Sequence, residues 1–193
     1  MTLTGDLVTL EPLHPDHHDE LVAAASDGRL WELWYTSVPT PEGMRTAIEE
    51  RLAASAAGTL LPFTVRRADT GLAVGMTTYL NVDPETPRLE IGSTWTARSA
   101  QRTGVNTESK LLLLTHAFET LGCVAVEFRT HWHNLQSRAA IAGLGAKQDG
   151  VLRNHRRLPD GSLRDTVVFS ILDTEWPAVR TGLRARLAGH RRS

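Results

Sequence analysis

Ten consecutive residues, Gln101-Arg102-Thr103-Gly104-Val105-Asn106-Thr107-Glu108-Ser109-Lys110, run directly into the apolar stretch Leu111-Leu112-Leu113-Leu114-Thr115-His116-Ala117-Phe118. A turn that opens a helix aims several backbone N–H groups in one direction at the positive end of the helix dipole, a setting that suits a phosphate or pyrophosphate. Gln101 and Arg102 can add side-chain donors at its entrance. The chemistry expected is therefore recognition of a nucleotide-like molecule. Gly104 to Lys110 lacks the Gly-Lys-Ser/Thr ending of an ATP-binding loop, which argues against ATP. Taken alone, the residues leave a purely structural helix turn open.

Other reactive side chains carry less. His131 and His133 flank Trp132 near the end of a strand, where an i,i+2 spacing sends side chains to opposite faces. No acidic or cysteine set nearby completes a metal site, so none is expected. Cys123, the single cysteine, precedes an apolar strand and reads as a buried small residue. It also excludes an intrachain disulfide framework and a thiolate cluster. Lys and Arg total 21 against 22 for Asp and Glu, a formal charge of -1, so no global positive field advertises nucleic acid or an anionic membrane. The basic end His190-Arg191-Arg192 reads as a solvated tail. Met1-Thr2-Leu3-Thr4-Gly5-Asp6 lacks the basic region and apolar core of a signal peptide, and no apolar run reaches membrane-spanning length. A reducing cytoplasm is the expected setting.

The elements that must position these groups follow from periodicity. Leu7 to Leu13 alternates as a first strand, and Pro15 to Glu20 opens a short helix that Asp16 is expected to cap. Leu30 to Pro39 is a Pro-bounded loop carrying Trp31, Trp34 and Tyr35, and a helix from about Glu42 to Ala57 ends at Gly58. Strands are expected at Phe63–Arg67, Ala73–Asn81 and Leu89–Thr96, separated by Asp69-Thr70-Gly71 and Asp83-Pro84-Glu85-Thr86-Pro87, and they read as antiparallel. After the glycine turn come a helix through about Leu121, a strand at Val124–Thr130 and a helix at about Ser137–Leu144 stopped by Gly145. Val151–Leu158 and Thr166–Leu172 form a hairpin around Pro159-Asp160-Gly161. Length and order fit one α/β domain, a mixed and mostly antiparallel sheet with flanking helices, over residues 1 to 176. Residues 177 to 193 are expected as an extension, helical or mobile.

On these residues the sequence resembles the GCN5-related N-acetyltransferase (GNAT) family, in its branch of ribosomal-protein alanine acetyltransferases. Gln101-x-x-Gly104-x-Asn106 follows the family's Gln/Arg-x-x-Gly-x-Gly/Ala phosphate loop, with Asn106 in place of the small third residue. Asn134-Leu135-Gln136-Ser137-Arg138-Ala139-Ala140-Ile141 and Leu144-Gly145-Ala146-Lys147 look like its downstream cofactor segment, and the likeness runs from about Leu7 to Leu172.

The resemblance implies acetyl-CoA as acyl donor, with its pantetheine arm in a split between two central strands. It assigns the pyrophosphate to Gln101, Arg102, Thr103, Gly104, Val105, Asn106 and Thr107, and pantetheine and thioester contacts to the backbones of Trp95 and Thr96. It implies direct attack by a neutral amine. Glu90 then orients the amine or relays its proton, Asn134 orients CoA, and Ser137 assists the leaving thiolate, with a helix-cap role for Ser137 left open. Trp31, Trp34 and Tyr35, together with Glu90, are expected to contact the acceptor, a primary amine of a small molecule or of a protein N-terminus. The basic residues Arg153, His155, Arg156, Arg157 and Arg164 could meet CoA phosphate, an acidic acceptor or a subunit, and Asp165 could pair with one of them. Related enzymes often pair, so a homodimer is plausible. The rival reading is a catalytically weak acyl-CoA sensor or structural protein, or a transferase of a longer acyl group.

Overall fold

A computed structural model of the chain describes residues 1–158 and 160–190. Pro159 of the hairpin turn and Arg191 and Arg192 of the basic end lie outside the described residues. Eight strands form one sheet: β1 (Leu3–Thr4), β2 (Val8–Pro12), β3 (Leu60–Arg67), β4 (Ala73–Asp83), β5 (Arg88–Thr96), β6 (Ala125–His131), β7 (Lys147–Arg157) and β8 (Leu163–Leu172). Their spatial order is β1-β2-β3-β4-β5-β6-β8-β7. Every neighbouring pair is antiparallel except β5 and β6, which are parallel and share only Arg88↔Ala125, Leu89↔Val126 and Glu90↔Glu127. Beyond Glu90 and Glu127 the two strands continue to Thr96 and His131 without pairing to each other. That divergence is a split in the middle of the sheet.

Five α-helices flank the sheet: α1 (His18–Ser26), α2 (Met44–Ala56), α3 (Val105–Thr115), α4 (Leu135–Leu144) and α5 (Trp176–His190). The cross-strand register sorts the faces. Thr64, Met76, Thr78, Gly92 and Glu90 are on the face that meets α1, where a His17 ring nitrogen lies 2.8 Å from Thr64 Oγ1. Thr77 and Tyr79 point the other way to α3, as Tyr79 Oη donates to the Leu113 carbonyl at 2.6 Å. Helices on both faces explain why β4 is buried continuously from Ala73 to Tyr79 rather than alternating. In α1, Leu21, Ala24 and Ala25 form the buried stripe expected from i, i+3, i+4 spacing.

Several local expectations are corrected. Asp16 is not a cap: the His14 side chain accepts the Asp16 backbone N–H at the start of a short 3-10 turn, and no side chain caps α1. The helix expected through Leu121 is α-helical only to Thr115 and continues as a π-type turn, His116–Thr120. Leu135, two residues before the expected start, begins α4. Of the two alternatives for the C-terminal segment, it is a helix through His190. Trp176, Leu183 and Leu187 of α5 are buried, and Trp176 stacks on Phe118 with ring centroids 5.4 Å apart while its Nε1 donates to Glu119. Among the described residues no helix is long and apolar enough to cross a membrane.

Candidate active site

The split is widened by a bulge. Opposite β4, Met76 faces Trp95 but Thr78 faces Gly92, so β5 holds one residue too many and Ser93 takes a left-handed φ of 46°. Past the bulge, the Ala97 N–H donates to the Val74 carbonyl at 2.8 Å. Alternation along an antiparallel ladder then turns the Trp95 backbone towards β4 and leaves the Thr96 N–H and C=O facing the split. Gln101 Nε2 accordingly donates to the Thr96 carbonyl at 3.0 Å. Gln136 Nε2 on α4 donates in turn to Gln101 Oε1 at 3.1 Å, which ties the two lips of the split together.

The loop leading to α3 has backbone geometry that suits an anion. Arg102 (φ 63°) and Gly104 (φ 89°) are both left-handed, and Thr103 Oγ1 bonds back to the Ala100 carbonyl. Gly104 is the N-cap of α3 and brings no side-chain cap. The first-turn N–H groups of Val105, Asn106 and Thr107 therefore keep their donor capacity for a ligand, as a pyrophosphate requires. Val105 is buried and Asn106 half-buried. Farther along, Glu108 accepts the backbone N–H groups of Asp6, Leu7 and Val8 at 3.1, 2.6 and 2.8 Å, anchoring α3 against the N-terminal strands.

Lys110, only 4% exposed, has no carboxylate partner among the described residues. Its Nζ donates to Thr77 and Thr94 Oγ1 at 3.1 and 2.8 Å, and burial lowers its pKa to about 7. It spans α3 and the bulged strand just behind the split.

Glu90 lies at the apex of the split and is 7% exposed. Asn81 Nδ2 donates to its Oε2 at 2.8 Å, and Arg129 Nε stands 3.5 Å from the same oxygen. Burial pushes the carboxyl above the ordinary glutamate range, against the opposing pull of Arg129, Asn81, Arg156 and Arg164. A buried carboxyl beside a split, with one oxygen held and a raised pKa, has the properties of a general base. Its parallel neighbour Glu127 pairs with Arg88 and with Arg129.

Asn134, not Ser137, caps α4, because Asn134 Oδ1 accepts the Ser137 N–H at 2.9 Å. No hydrogen bond from the half-buried Ser137 hydroxyl occupies it elsewhere among the described residues. Trp34 is 60% exposed and lies edge-on to His131 at 5.2 Å, 5.5 Å from His133 and 5.6 Å from Tyr35. Trp31, by contrast, packs against the core. The aromatic loop thus reaches the end of β6 through Trp34, against which Tyr35 packs.

Sequence reasoning missed Asn81 and Arg129 as neighbours of Glu90, and it named Gln136 and Lys110 only within the cofactor segments, with no role of their own. One signal was available: Glu127-x-Arg129-x-His131 alternates polar groups on one face of a strand. The others depend on contacts between distant segments. Cys123 is buried and its thiol pKa is raised by burial, as a structural cysteine requires. Among the described residues no three metal-binding side chains cluster. A groove of about 500 Å³ between α4 and α5, lined by Gly143, Lys147, Glu175 and Arg186 among others, contains none of the candidate site residues.

The acetyltransferase (GNAT) domain family matches residues 8–147. The chain belongs to the GNAT family. A GCN5-related N-acetyltransferase from Brucella melitensis is similar at 32% identity, covering 97% of this chain and 85% of that one with a TM-score of 0.84. A candidate acetyltransferase from T. thermophilus is 34% identical, with 96% of each chain covered and a TM-score of 0.84. The ribosomal L7/L12 acetyltransferase RimL shares the GNAT fold at a TM-score of 0.76 and 15% identity, over 89% of this chain and 94% of its own. No protein of curated function matches the sequence. As a GNAT protein, the chain has the split sheet and helix-opening loop on which members of the family use acetyl-CoA.

Proposed function

We propose that this protein is an N-acetyltransferase that moves an acetyl group from acetyl-CoA to a primary amine by direct attack. The observation that carries the reading is the placement of Glu90 at the apex of a split, on the same strand β5 whose far end leads to an uncapped helix start. The N–H groups of Val105, Asn106 and Thr107, with Arg102, Thr103 and Gly104, hold the pyrophosphate, and Gln101 at the entrance, its amide spent on Thr96 and Gln136, fixes the loop instead of donating to it. Thr96, through its backbone, positions the pantetheine arm, with Trp95 beneath it and the Asn134 Nδ2 at the far lip. Acetyl-CoA supplies an electrophilic thioester carbonyl.

Glu90, with its carboxylate free to accept a proton, takes one from the acceptor ammonium. The amine nitrogen then bonds to the carbonyl carbon and the C–S bond breaks. Ser137 protonates the departing thiolate, and its hydroxyl is restored by the proton lost from nitrogen through solvent. The products are an N-acetyl amide and free CoA. Further support comes from the microcin C7 self-immunity acetyltransferase MccE, which shares the fold at a TM-score of 0.75 and 16% identity and whose structure contains acetyl-CoA and AMP. Trp34 and Tyr35 form the acceptor wall, with Trp31 supporting them from the core. A cytoplasmic location and a homodimer accompany this reading.

The test is release of free CoA from acetyl-CoA in the presence of small amines and N-terminal peptides, with each product identified by mass. An acetylated product supports the reading. Tight CoA binding without any product would favour an acyl-CoA sensor.

A further inference from the structure

The face of the sheet that carries Glu90 is crowded with cations. By register, Arg129 faces Val168, His131 faces Thr166 and Arg156 faces Arg164, so these groups line the same end of the sheet. Of the carboxylates there, Glu127 is engaged by Arg88 and Arg129, Glu90 is near Arg129, and Asp83 stands opposite Arg88 by register with its Oδ1 accepting the Glu85 and Thr86 N–H groups. Asp165 is taken by Arg153 at 2.5 Å and by the Asn154 N–H at 2.7 Å. Among the described residues Arg156 and Arg164 belong to no ion pair. The Arg164 Nε bond to Thr166 Oγ1, at 3.1 Å, leaves its terminal nitrogens unused.

Arg88 and Arg129 are thus matched by carboxylates, while Arg156 and Arg164 add two guanidiniums at the same end of the sheet that no carboxylate pairs among the described residues. An acceptor that brought only an ammonium would meet net repulsion there, in surroundings where charges are poorly screened. A polar donor points the same way. His131 is 4% exposed, and its Nδ1 accepts the His133 N–H at 3.0 Å, which puts the ring proton on Nε2 in the neutral imidazole. That Nε2 is buried and has no partner among the described residues. A buried N–H left unpaired costs free energy until an oxygen acceptor reaches it. The phosphate loop does not supply that acceptor, because α3 packs on the opposite face through Lys110 and Tyr79.

We infer that the acceptor is a primary amine whose own molecule carries an anionic oxygen group, a carboxylate or a phosphate, held by Arg164 and Arg156 with His131 Nε2–H donating to one of its oxygens. This rests on the acetyl-transfer reading for the amine end and specifies the other end. Arg164, half-buried and bonded to Thr166, is the fixed part of the anion site. Exposed Arg156 closes over it from the neighbouring strand.

The test uses matched pairs: glycylglycine against glycylglycine amide for a carboxylate, and phosphoethanolamine against ethanolamine for a phosphate. Wild type, Arg156→Gln and Arg156→Gln/Arg164→Gln are compared by initial rates of CoA release and, separately, by calorimetric binding of the four amines. At least one anionic member is expected to exceed its neutral partner about tenfold in kcat/KM, about 1.4 kcal/mol. The double variant should erase that ratio through the acceptor KM while the KM for acetyl-CoA holds. Equal use of neutral and anionic members, a preference that survives the double substitution, or a shift in acetyl-CoA KM alone overturns the inference. Binding answers separately if nothing is acetylated. Anionic amines that bind wild type but not the double variant uphold the anion site and sink acetyl transfer to these amines, whereas no discrimination in binding sinks the anion site itself.

Discussion

Asn134 Oδ1 accepts the Ser137 backbone N–H at 2.9 Å, so the cap of α4 and the candidate proton donor are two different residues three positions apart. Their substitutions should therefore separate. Ser137→Ala is expected to lower kcat about tenfold or more with little change in unfolding midpoint. Asn134→Ala should cost about 1 kcal/mol of stability through the lost cap. Parallel turnover assays and denaturant titrations check this, and a Ser137→Ala loss confined to stability would assign the hydroxyl a structural role.

Glu90 must be ionised to accept a proton, and burial raises its pKa. The acid limb of kcat/KM should accordingly fall at a higher pH than an ordinary carboxylate would give, with activity lost as pH drops through the raised pKa. Glu90→Gln should reduce turnover about a hundredfold, within the usual range for a general base, and remove that limb. A pH–rate profile of both proteins decides it; an unchanged acid limb in the variant would move the base elsewhere.

Gly104 holds φ at 89°, a conformation that a β-branched residue strongly disfavours. Gly104→Val should raise the CoA dissociation constant at least about tenfold while the sheet remains folded by circular dichroism. Unchanged affinity in a folded variant would detach the turn from the pyrophosphate.

Lys110 has a folded pKa of about 7, below its unfolded value, so the unfolded chain binds the extra proton between roughly pH 7 and 10.4. The contribution of this group to stability rises with pH across that window, and its penalty is full below it. Lys110→Met removes the buried amine and leaves Thr77 and Thr94 bonded to each other at 2.8 Å. The variant should be more stable than wild type at pH 6, by an amount on the order of a few kcal/mol, and should lose that advantage towards pH 10. Urea midpoints at the two pH values measure the difference.

The strands around Phe63, Val74 and Ile91 are readable because the turns between them are marked by Gly, Pro and Asp. The start of α3 was readable for a similar local reason, since Gly104 stops one conformation and the leucine run begins another. What could not be read locally was set across the sheet. Asn134 and Ser137 are both good caps by residue type, and only the path of the chain from β6 decides which one occupies the N-cap. Lys110 looks like a solvent-facing helix residue until α3 lies across the hydroxyls of Thr77 and Thr94. Arg156 faces Arg164 only because the ladder shifts between Leu152 and Arg156; an unbroken register from Leu152↔Thr166 would set Asn154 there instead.

Three residue pairs form the whole seam between the two halves of the sheet, Arg88 to Glu90 against Ala125 to Glu127. Such a molecule resembles a book with a short spine, its pages held by the glutamine clasp at the open edge and by the helices behind. A donor laid in the opening, with amide groups along its arm, would supply the hydrogen bonds that β5 and β6 do not make to each other. The reactant would then serve as a temporary strand, so that the protein would be stiffest while the chemistry is under way and would loosen as the spent carrier leaves.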